Sequence, residues 1–305
     1  MTAKLEASVP ARRLTLAKQR GDDYNLLLNR FALERLLCRI AASAHADRFL
    51  LKGALLFSLW YDQPHRPTRD ADLLGSGPDD AETLIATFSD IAVIELDDGI
   101  AFDPRSVRAD VIREDNRYGG LRVRLTGRIG NARCALQIDV GFGDAVTPEP
   151  QTVSFPVLLD DMAAPTLKVY PVYTVIAEKF HAMTVLGLAN TRMKDFFDIA
   201  VIAQRTDLDG ATLARAVAAT FARRGTALPM QVPVALTQVF GNDDSKRRQW
   251  HAFLNKNRVG AGTLPETVAL IHALLWPATQ AAASRSNATA AWRARERQWA
   301  EVRDV

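Results

Sequence analysis

The sequence has very little cysteine and no long apolar run. Only Cys38 and Cys134 occur among its 305 residues. Two thiols so far apart cannot supply a structural zinc site or the framework of a disulfide-rich domain. Residues 1–20 carry several cations but lack the apolar core of a signal peptide, and no later segment reaches the length of a membrane span. We therefore expect a cytoplasmic protein without a membrane partner.

A strong charge of either sign is also missing. The sequence has 38 Lys and Arg against 35 Asp and Glu, and the formal net charge of +3 does not by itself indicate a nucleic-acid partner. Hydrophobic residues make up 48% and charged residues 24% of the chain. This composition is that of an ordinary globular protein and excludes disordered, collagen-like and coiled-coil chains.

Apolar periodicity divides the first half of the chain into helices and strands. In order, we predict a helix over 22–46 capped by Asp22 or Asp23, a loop over 63–67, a strand over 68–74, a helix over 79–90, and an antiparallel meander of four strand-like runs between 91 and 144. In the last hairpin, a two-residue turn at 130–131 places Arg122 directly opposite Asp139. One face of that hairpin is apolar, and the other carries Arg122, Arg124 and Asp139.

The second half of the chain is helical in period. Several prolines lie between the last predicted strand and residue 165. There we expect a boundary between a first domain over 1–165 and a helical domain over 166–305. Helices are predicted over 174–189, 192–205, 211–223, 243–256 and 264–276. Trp292 and Trp299, seven residues apart, are predicted to form a stripe on a further helix.

The most informative segment is Asp70-Ala71-Asp72 on the predicted strand. Two carboxylates one residue apart on a strand project from the same face, and Asp139 on a neighbouring strand can add a third. Three converging carboxylates repel one another unless a cation is bound, and Mg²⁺ suits such oxygen ligands. The alternative is a solvent-facing pair of aspartates that makes surface ion pairs with Arg66 and Arg69.

Two cations have candidate roles near phosphates. Lys52 lies beside Gly53, a turn glycine before a short helix that could present backbone N–H groups to phosphates. The alternative is a buried turn with an extended surface lysine.

Lys179 can reach Asp195 and Asp198, which share one face of the next helix, and would neutralise charge on a nucleotide. An interhelical salt bridge is the alternative. His181 is more easily explained as a core residue than as a base.

Six motifs in one order resemble the AbiEii/AbiGii nucleotidyltransferase-like toxins of type IV toxin–antitoxin systems. They are LLKGALLFSLW, RPTRDADLLG, YGGLRVRL, LQIDVGFGD, YPVYTVIAEKFHAM and NTRMKDFFDI, and they cover about residues 20–205. The resemblance implies an α+β fold, with a DNA polymerase β-type nucleotidyltransferase domain of mixed sheet and flanking helices. A C-terminal helical domain that closes the nucleotide cleft would follow it.

The resemblance also implies the site and its partners. Catalytic residues would be Asp70, Asp72, Asp139, Lys179 and Asp195; nucleotide-binding residues would be Lys52, Gly53, Thr68, Arg69, Arg122 and Asp198; and the metal ligands would be Asp70, Asp72 and Asp139. Mg²⁺, or alternatively Mn²⁺, would be the cofactor. The substrates would be an NTP and an RNA acceptor, in known members the 3′ end of tRNA, and an AbiEi-like antitoxin would be the genetic partner.

Two departures from the family pattern keep other functions open. Gly53-Ala54 lacks the serine of the usual Gly-Ser motif, and Pro171-Val172-Tyr173-Thr174 lacks the glutamate of Pro-x-Glu-Thr. One alternative is nucleotide transfer to hydroxyls of a protein, with Thr68 as a self-modification site, or of a small molecule. Another is a catalytically idle module that binds a nucleotide or RNA.

Overall fold

The computed structural model describes residues 23–61, 66–112, 120–284 and 290–301. The chain forms two compact units. The first comprises the described residues up to Gly143 together with Gln151–Tyr170, and the second comprises Asp144–Pro150 and the described residues from Pro171 onward. The main division between the units thus follows Tyr170, a few residues beyond the boundary expected at 165. The short segment Asp144–Pro150 precedes this division in the sequence but belongs to the second unit.

The first unit is a mixed sheet with flanking helices, as predicted. Its elements are α1 (Tyr24–Ala42), β1 (Phe49–Lys52), α2 (Phe57–Trp60), β2 (Asp70–Gly75), α3 (Ala81–Ala92), β3 (Ala101–Ile112), β4 (Gly120–Ile129), β5 (Ala132–Phe142), β6 (Gln151–Ser154) and β7 (Thr166–Val169). A 3₁₀ turn, Gly53–Leu56, joins β1 to α2. The strands form one seven-stranded sheet in the order β3-β4-β5-β2-β1-β7-β6, in which only the β2–β5 and β1–β7 pairs are parallel.

Helices α1 and α3 cover the apolar side of this sheet. The side chain of Asp23 accepts a hydrogen bond from the backbone N–H of Leu26 and starts α1, as predicted, and Asp80 caps α3 in the same way. The α1 helix buries Arg39, whose guanidinium donates two hydrogen bonds to the buried carboxylate of Asp98. This buried, hydrogen-bonded charge pair ties α1 to the segment before β3.

The predicted hairpin register is confirmed. In the β4–β5 pair, Arg122 lies opposite Asp139 and Ile129 lies opposite Ala132. The prediction of four strand-like runs between 91 and 144 was wrong by one strand, because the first run instead completes α3 and continues as irregular chain to Ile100. Ile91 and Ala92 are buried in the last turn of α3, so their apolar character reflects helix packing.

The second unit is mainly helical. Its elements are α4 (Val172–Leu186), α5 (Met193–Arg205), β8 (Leu208–Asp209), α6 (Gly210–Arg223), α7 (Gln238–Gly241), α8 (Asp244–Asn257), α9 (Leu264–Ser284), β9 (Ala290–Arg293) and β10 (Gln298–Glu301). All five helices predicted here are present within a few residues of the expected bounds. The exception is the end of α9, which continues through Pro277 to Ser284, because apolar burial of Ala278 and Leu275 holds the helix together past the proline.

The predicted helical stripe of Trp292 and Trp299 was wrong. These tryptophans face each other across the antiparallel β9–β10 hairpin, with ring centroids 5.6 Å apart. Trp292 is fully buried, and its indole N–H donates to the carbonyl oxygen of Ala203. Pairing of β9 with β8 completes a three-stranded sheet. Long-range pairing therefore overrides the helical preference of the surrounding alanines.

Across the described ranges, no helix is both long enough and apolar enough to cross a bilayer. Several expectations fall outside those ranges. They concern residues 1–20, most of the loop at 63–67, and the start of the YGGLRVRL motif.

Candidate active site

The aspartate strand β2 lies in the interior of the first unit's sheet, between β1 and β5. Asp72 is in register with Lys52 on β1 and with Asp139 on β5. Residues directly opposite in a sheet project from the same face with Cβ atoms about 5 Å apart. Asp70 lies two residues before Asp72 and therefore shares that face. The fold thus places the three carboxylates singled out in the sequence on one face of two neighbouring strands.

Asp139 is held by an arginine from the neighbouring strand. The Nε and Nη2 atoms of Arg122 donate to the two carboxylate oxygens of Asp139 at 2.8 and 2.7 Å. Both side chains are partly exposed. Such a bidentate pair fixes the orientation of the carboxylate, while each oxygen keeps a further lone pair. Asp139 is therefore oriented and partly neutralised.

Gly53 packs directly against Asp72. Its φ of +75° lies in the left-handed region, and a Cβ added there would lie 1.9 Å from Oδ2, 2.6 Å from Cγ and 2.8 Å from Cβ of Asp72. Only glycine fits both the backbone conformation and this close approach. The turn after β1 therefore sets the position of the Asp72 carboxylate. Lys52, just before it, places its ammonium 5.5 Å from the centroid of the Tyr170 ring.

The donor set suits a hard divalent cation. Asp70, Asp72 and Asp139 offer only carboxylate oxygens, the ligands that Mg²⁺ prefers. Within the part of the chain that the structure describes, no group of three or more His, Cys, Asp or Glu side chains is arranged so that it could hold a metal ion by itself. The residues fit an open site of two or three carboxylates, in which water and substrate oxygens complete the coordination sphere.

The segment before β2 contributes polar groups close to the aspartates. The hydroxyl of Thr68 donates to the backbone carbonyl of Asp70 at 3.2 Å, so it braces the start of the strand. Arg69 is exposed, and Arg66 is partly buried. These residues lie next to the carboxylate face in sequence, and their role toward a nucleotide stays a prediction.

Lys179 lies between two buried carboxylates of the second unit. Its ammonium is 2.8 Å from Asp195 Oδ1 and 2.8 Å from Asp198 Oδ2. Both aspartates are fully buried, whereas the lysine keeps 12% of its side chain exposed. Arg192 donates to the other oxygen of Asp195 at 2.7 Å. The cluster joins α4 to α5 and holds the lysine in a fixed position.

The electrostatics of this cluster keep Asp195 ionised. Burial alone raises the pKa of Asp195, but Lys179 and Arg192 more than offset that effect, so its pKa lies below the ordinary value. The interhelical salt bridge considered from the sequence is therefore present. The same contacts hold the ammonium of Lys179 in place, and its role toward a nucleotide stays a prediction.

The second unit contains a polar cluster that the sequence did not single out. Arg224 donates to Asp144 at 3.0 Å and contacts Nδ1 of His181 at 3.3 Å, and the other ring nitrogen of His181 is 2.9 Å from the hydroxyl of Thr226. Burial, followed by the charge of Arg224, lowers the pKa of His181 to about 4. His181 is buried, as predicted, and its lowered pKa favours the neutral ring at neutral pH. Asp144 ends the DVGFGD motif, the one signal that pointed to it.

The position that departs from the family pattern has a structural role. The phenolic oxygen of Tyr173 accepts a hydrogen bond at 3.0 Å from the backbone N–H of Asp209. Asp209 is the residue that caps α6. Tyr173 therefore supports the packing of α4 and α6 in the second unit.

Comparison with known proteins gives one family match. The family model described as "Nucleotidyl transferase AbiEii toxin, Type IV TA system" matches residues 35–284, most of the chain. No curated protein matches the chain.

Two solved structures from Helicobacter pylori are similar in outline. One is JHP933, at 16% identity and a TM-score of 0.44, covering 85% of this chain and 92% of that one. The other is provisionally described as a nucleotidyltransferase, at 16% identity and a TM-score of 0.43, covering 85% of this chain and 95% of that one. Similarity at this level adds nothing to the assignment of function.

Proposed function

The chain belongs to the AbiEii nucleotidyl transferase toxin family of type IV toxin–antitoxin systems, and on that premise we propose that it is a Mg²⁺-dependent enzyme of the cytoplasm. It transfers nucleotides from an NTP to an RNA acceptor, the 3′ end of tRNA, and thereby blocks translation. The fold is assigned to the DNA polymerase β type, with a C-terminal helical domain. An AbiEi-like antitoxin opposes the toxin.

The observation that carries this proposal is the row of charges across β1, β2, β5 and β4. The register places Lys52, Asp72, Asp139 and Arg122 side by side on one sheet face. Two adjacent carboxylates flanked by two cations suit a triphosphate, because the carboxylates bind a divalent ion and the cations bind phosphate oxygens. An ordinary solvent-facing aspartate pair does not require the tight approach of Gly53 to Asp72.

Each residue then has a defined task. When bound by Asp70, Asp72 and Asp139, Mg²⁺ would neutralise the triphosphate and favour deprotonation of the acceptor hydroxyl. Gly53 sets the position of Asp72, and Arg122 orients Asp139 toward the same face. Fixed geometry of this kind lowers the barrier because little reorganisation is needed during the reaction.

Lys179 is assigned to the phosphates of the nucleotide. Support comes from the two buried carboxylates that hold its ammonium in place, which makes it a cation of fixed position. Asp195 and Asp198 act through this lysine and are positioning residues. Thr68 and Arg69 are assigned to nucleotide contact because they directly precede the aspartate strand.

The test is a transfer assay with labelled NTPs, Mg²⁺ and total tRNA. We expect wild type to label tRNA and Asp72→Asn to lose at least about a hundredfold in rate, the order that misplacing or removing a key catalytic group costs. Asp90→Asn is the matched control, because that carboxylate is exposed and lies on helix α3, outside the row of carboxylates on the sheet. Equal labelling by Asp72→Asn would refute the proposal. If the label appeared on the protein instead of the RNA, the acceptor would be a hydroxyl of the protein and not an RNA.

A further inference from the structure

An exposed group of arginines extends from the carboxylates along the same face of the sheet. The group, here called the arginine face, consists of Arg108 on β3, Arg124 and Arg128 on β4, and Arg133 on β5. The register places Arg108 opposite Arg124 and Arg128 opposite Arg133. All four side chains are exposed.

The arginine face and the carboxylates share one side of the sheet because the side-chain period of a strand is two. Arg124 lies two residues from Arg122, the partner of Asp139, and Arg133 lies six residues from Asp139 on β5. At about 3.4 Å per residue, the face therefore extends roughly 20 Å from Asp139. The opposite side of these strands carries the buried residues that face the core.

This arrangement is unfavourable for the folded protein alone. Like charges directly opposite on neighbouring strands repel one another. The repulsion is only partly relieved. Arg124 pairs with Asp110, Arg108 donates to backbone carbonyls of its own strand, and Arg133 donates to the hydroxyl of Thr126 at 3.4 Å. In the described ranges, the side chain of Arg128 makes neither an ion pair nor a hydrogen bond, and Arg128 lies opposite another arginine. An anion that lies across both arginine pairs would relieve this repulsion, which explains why the two pairs share one face.

We propose that the arginine face binds the phosphate backbone of the acceptor RNA and guides its end to the carboxylates. This proposal rests on the proposed function, in which the acceptor is an RNA. The charge complementarity is direct, because guanidinium groups bind phosphate oxygens in a fixed, bidentate geometry. A face about 20 Å long spans roughly six stacked nucleotides at ~3.4 Å each. Such contacts fix position and carry little sequence preference.

The experiment compares two triple variants with the same change of charge. One is Arg108→Gln/Arg128→Gln/Arg133→Gln. The matched control is Arg215→Gln/Arg247→Gln/Arg248→Gln, three exposed arginines on helices of the second unit. A third protein, Arg108→Lys/Arg128→Lys/Arg133→Lys, keeps the charge. For each, the Kd for tRNA is measured over a series of salt concentrations, the Kd for NTP by equilibrium dialysis, and the Tm by circular dichroism.

We expect the arginine-face variant to bind tRNA at least about tenfold more weakly and to lose roughly 2 from the slope of log Kd against log salt, since each phosphate contact contributes about 0.7 to 0.9. The control and the lysine variant should keep the slope of wild type, and NTP binding should be unchanged in all. Equal slopes for the arginine-face variant and the control overturn this inference alone. If wild type binds no tRNA, the acceptor assignment in the proposed function fails as well.

Discussion

Replacing Gly53 by alanine tests whether the turn after β1 positions Asp72. The added Cβ would lie 1.9 Å from Oδ2 of Asp72, whereas real Cβ atoms essentially never approach another atom within 3.0 Å. The carboxylate must therefore move by about 1 Å or more. Rotation of the side chain does not relieve the overlap, because the Cβ of Asp72 itself would be only 2.8 Å away. Strand β2 or the turn has to shift.

The expected cost has two separable parts. A residue with a side chain in the left-handed region loses about 1–2 kcal/mol of stability. A displacement of about 1 Å in the site costs on the order of a hundredfold in rate. We therefore expect Gly53→Ala to unfold at a somewhat lower temperature and to transfer nucleotides about a hundred times more slowly than wild type.

Two other glycines provide controls for the backbone strain. Gly77 has φ +84°, and a Cβ added there would lie 3.7 Å from the nearest atom, which belongs to Arg48; Gly225 has φ +59°, and an added Cβ would meet no described atom within 4 Å. Alanine at either position carries the same backbone penalty without touching the carboxylates. The assay is the initial rate of nucleotide transfer, with Tm measured alongside. If Gly53→Ala retained a rate within about twofold of these controls, Gly53 would not position Asp72.

Three further predictions follow from individual contacts. Asp195→Asn should lower the free energy of unfolding by about 3–5 kcal/mol in urea titrations, because Lys179 loses one of its two buried carboxylate partners. A loss below about 1 kcal/mol would contradict this prediction. In the absence of nucleotide, Arg122→Gln should strengthen the binding of Mn²⁺, because the substitution removes the positive charge that lies beside Asp139. Calorimetry measures this, and weaker binding would contradict the prediction. The depressed pKa of His181, about 4 against 6.5, means that the unfolded state binds the extra proton between those values. Stability should therefore fall as pH drops from about 6.5 to about 4, and His181→Gln should lose less over that range; parallel curves would refute it.

Local patterns were sufficient wherever the structure is decided by neighbours in sequence. Alternation of side chains and a two-residue turn gave the register of Arg122 and Asp139, because a hairpin leaves few other pairings. The helices of the second unit were equally predictable from periodicity and capping residues. Trp292 and Trp299 were misassigned because their seven-residue spacing fits a helix, whereas their strand pairing depends on β8, more than eighty residues earlier.

The site was predictable only in part. Residue types and strand spacing indicated the aspartates, but the contact of Gly53 with Asp72 depends on how β1 and β2 pair, which no local pattern specifies. The same holds for Asp144 and Arg224, which are eighty residues apart and meet only in the folded second unit. Long-range packing, rather than residue type, decides these contacts.

The central claim is that Asp70 and Asp72, with Asp139 beside them, hold a divalent cation against a triphosphate. Anomalous diffraction from crystals grown with Mn²⁺ and a non-hydrolysable NTP analogue tests it most directly. We predict a metal peak about 2.0–2.3 Å from carboxylate oxygens of Asp70 and Asp72, bridging to the phosphates of the analogue. An ordered analogue with no metal at these aspartates, or with its metal held by other residues, would contradict the account.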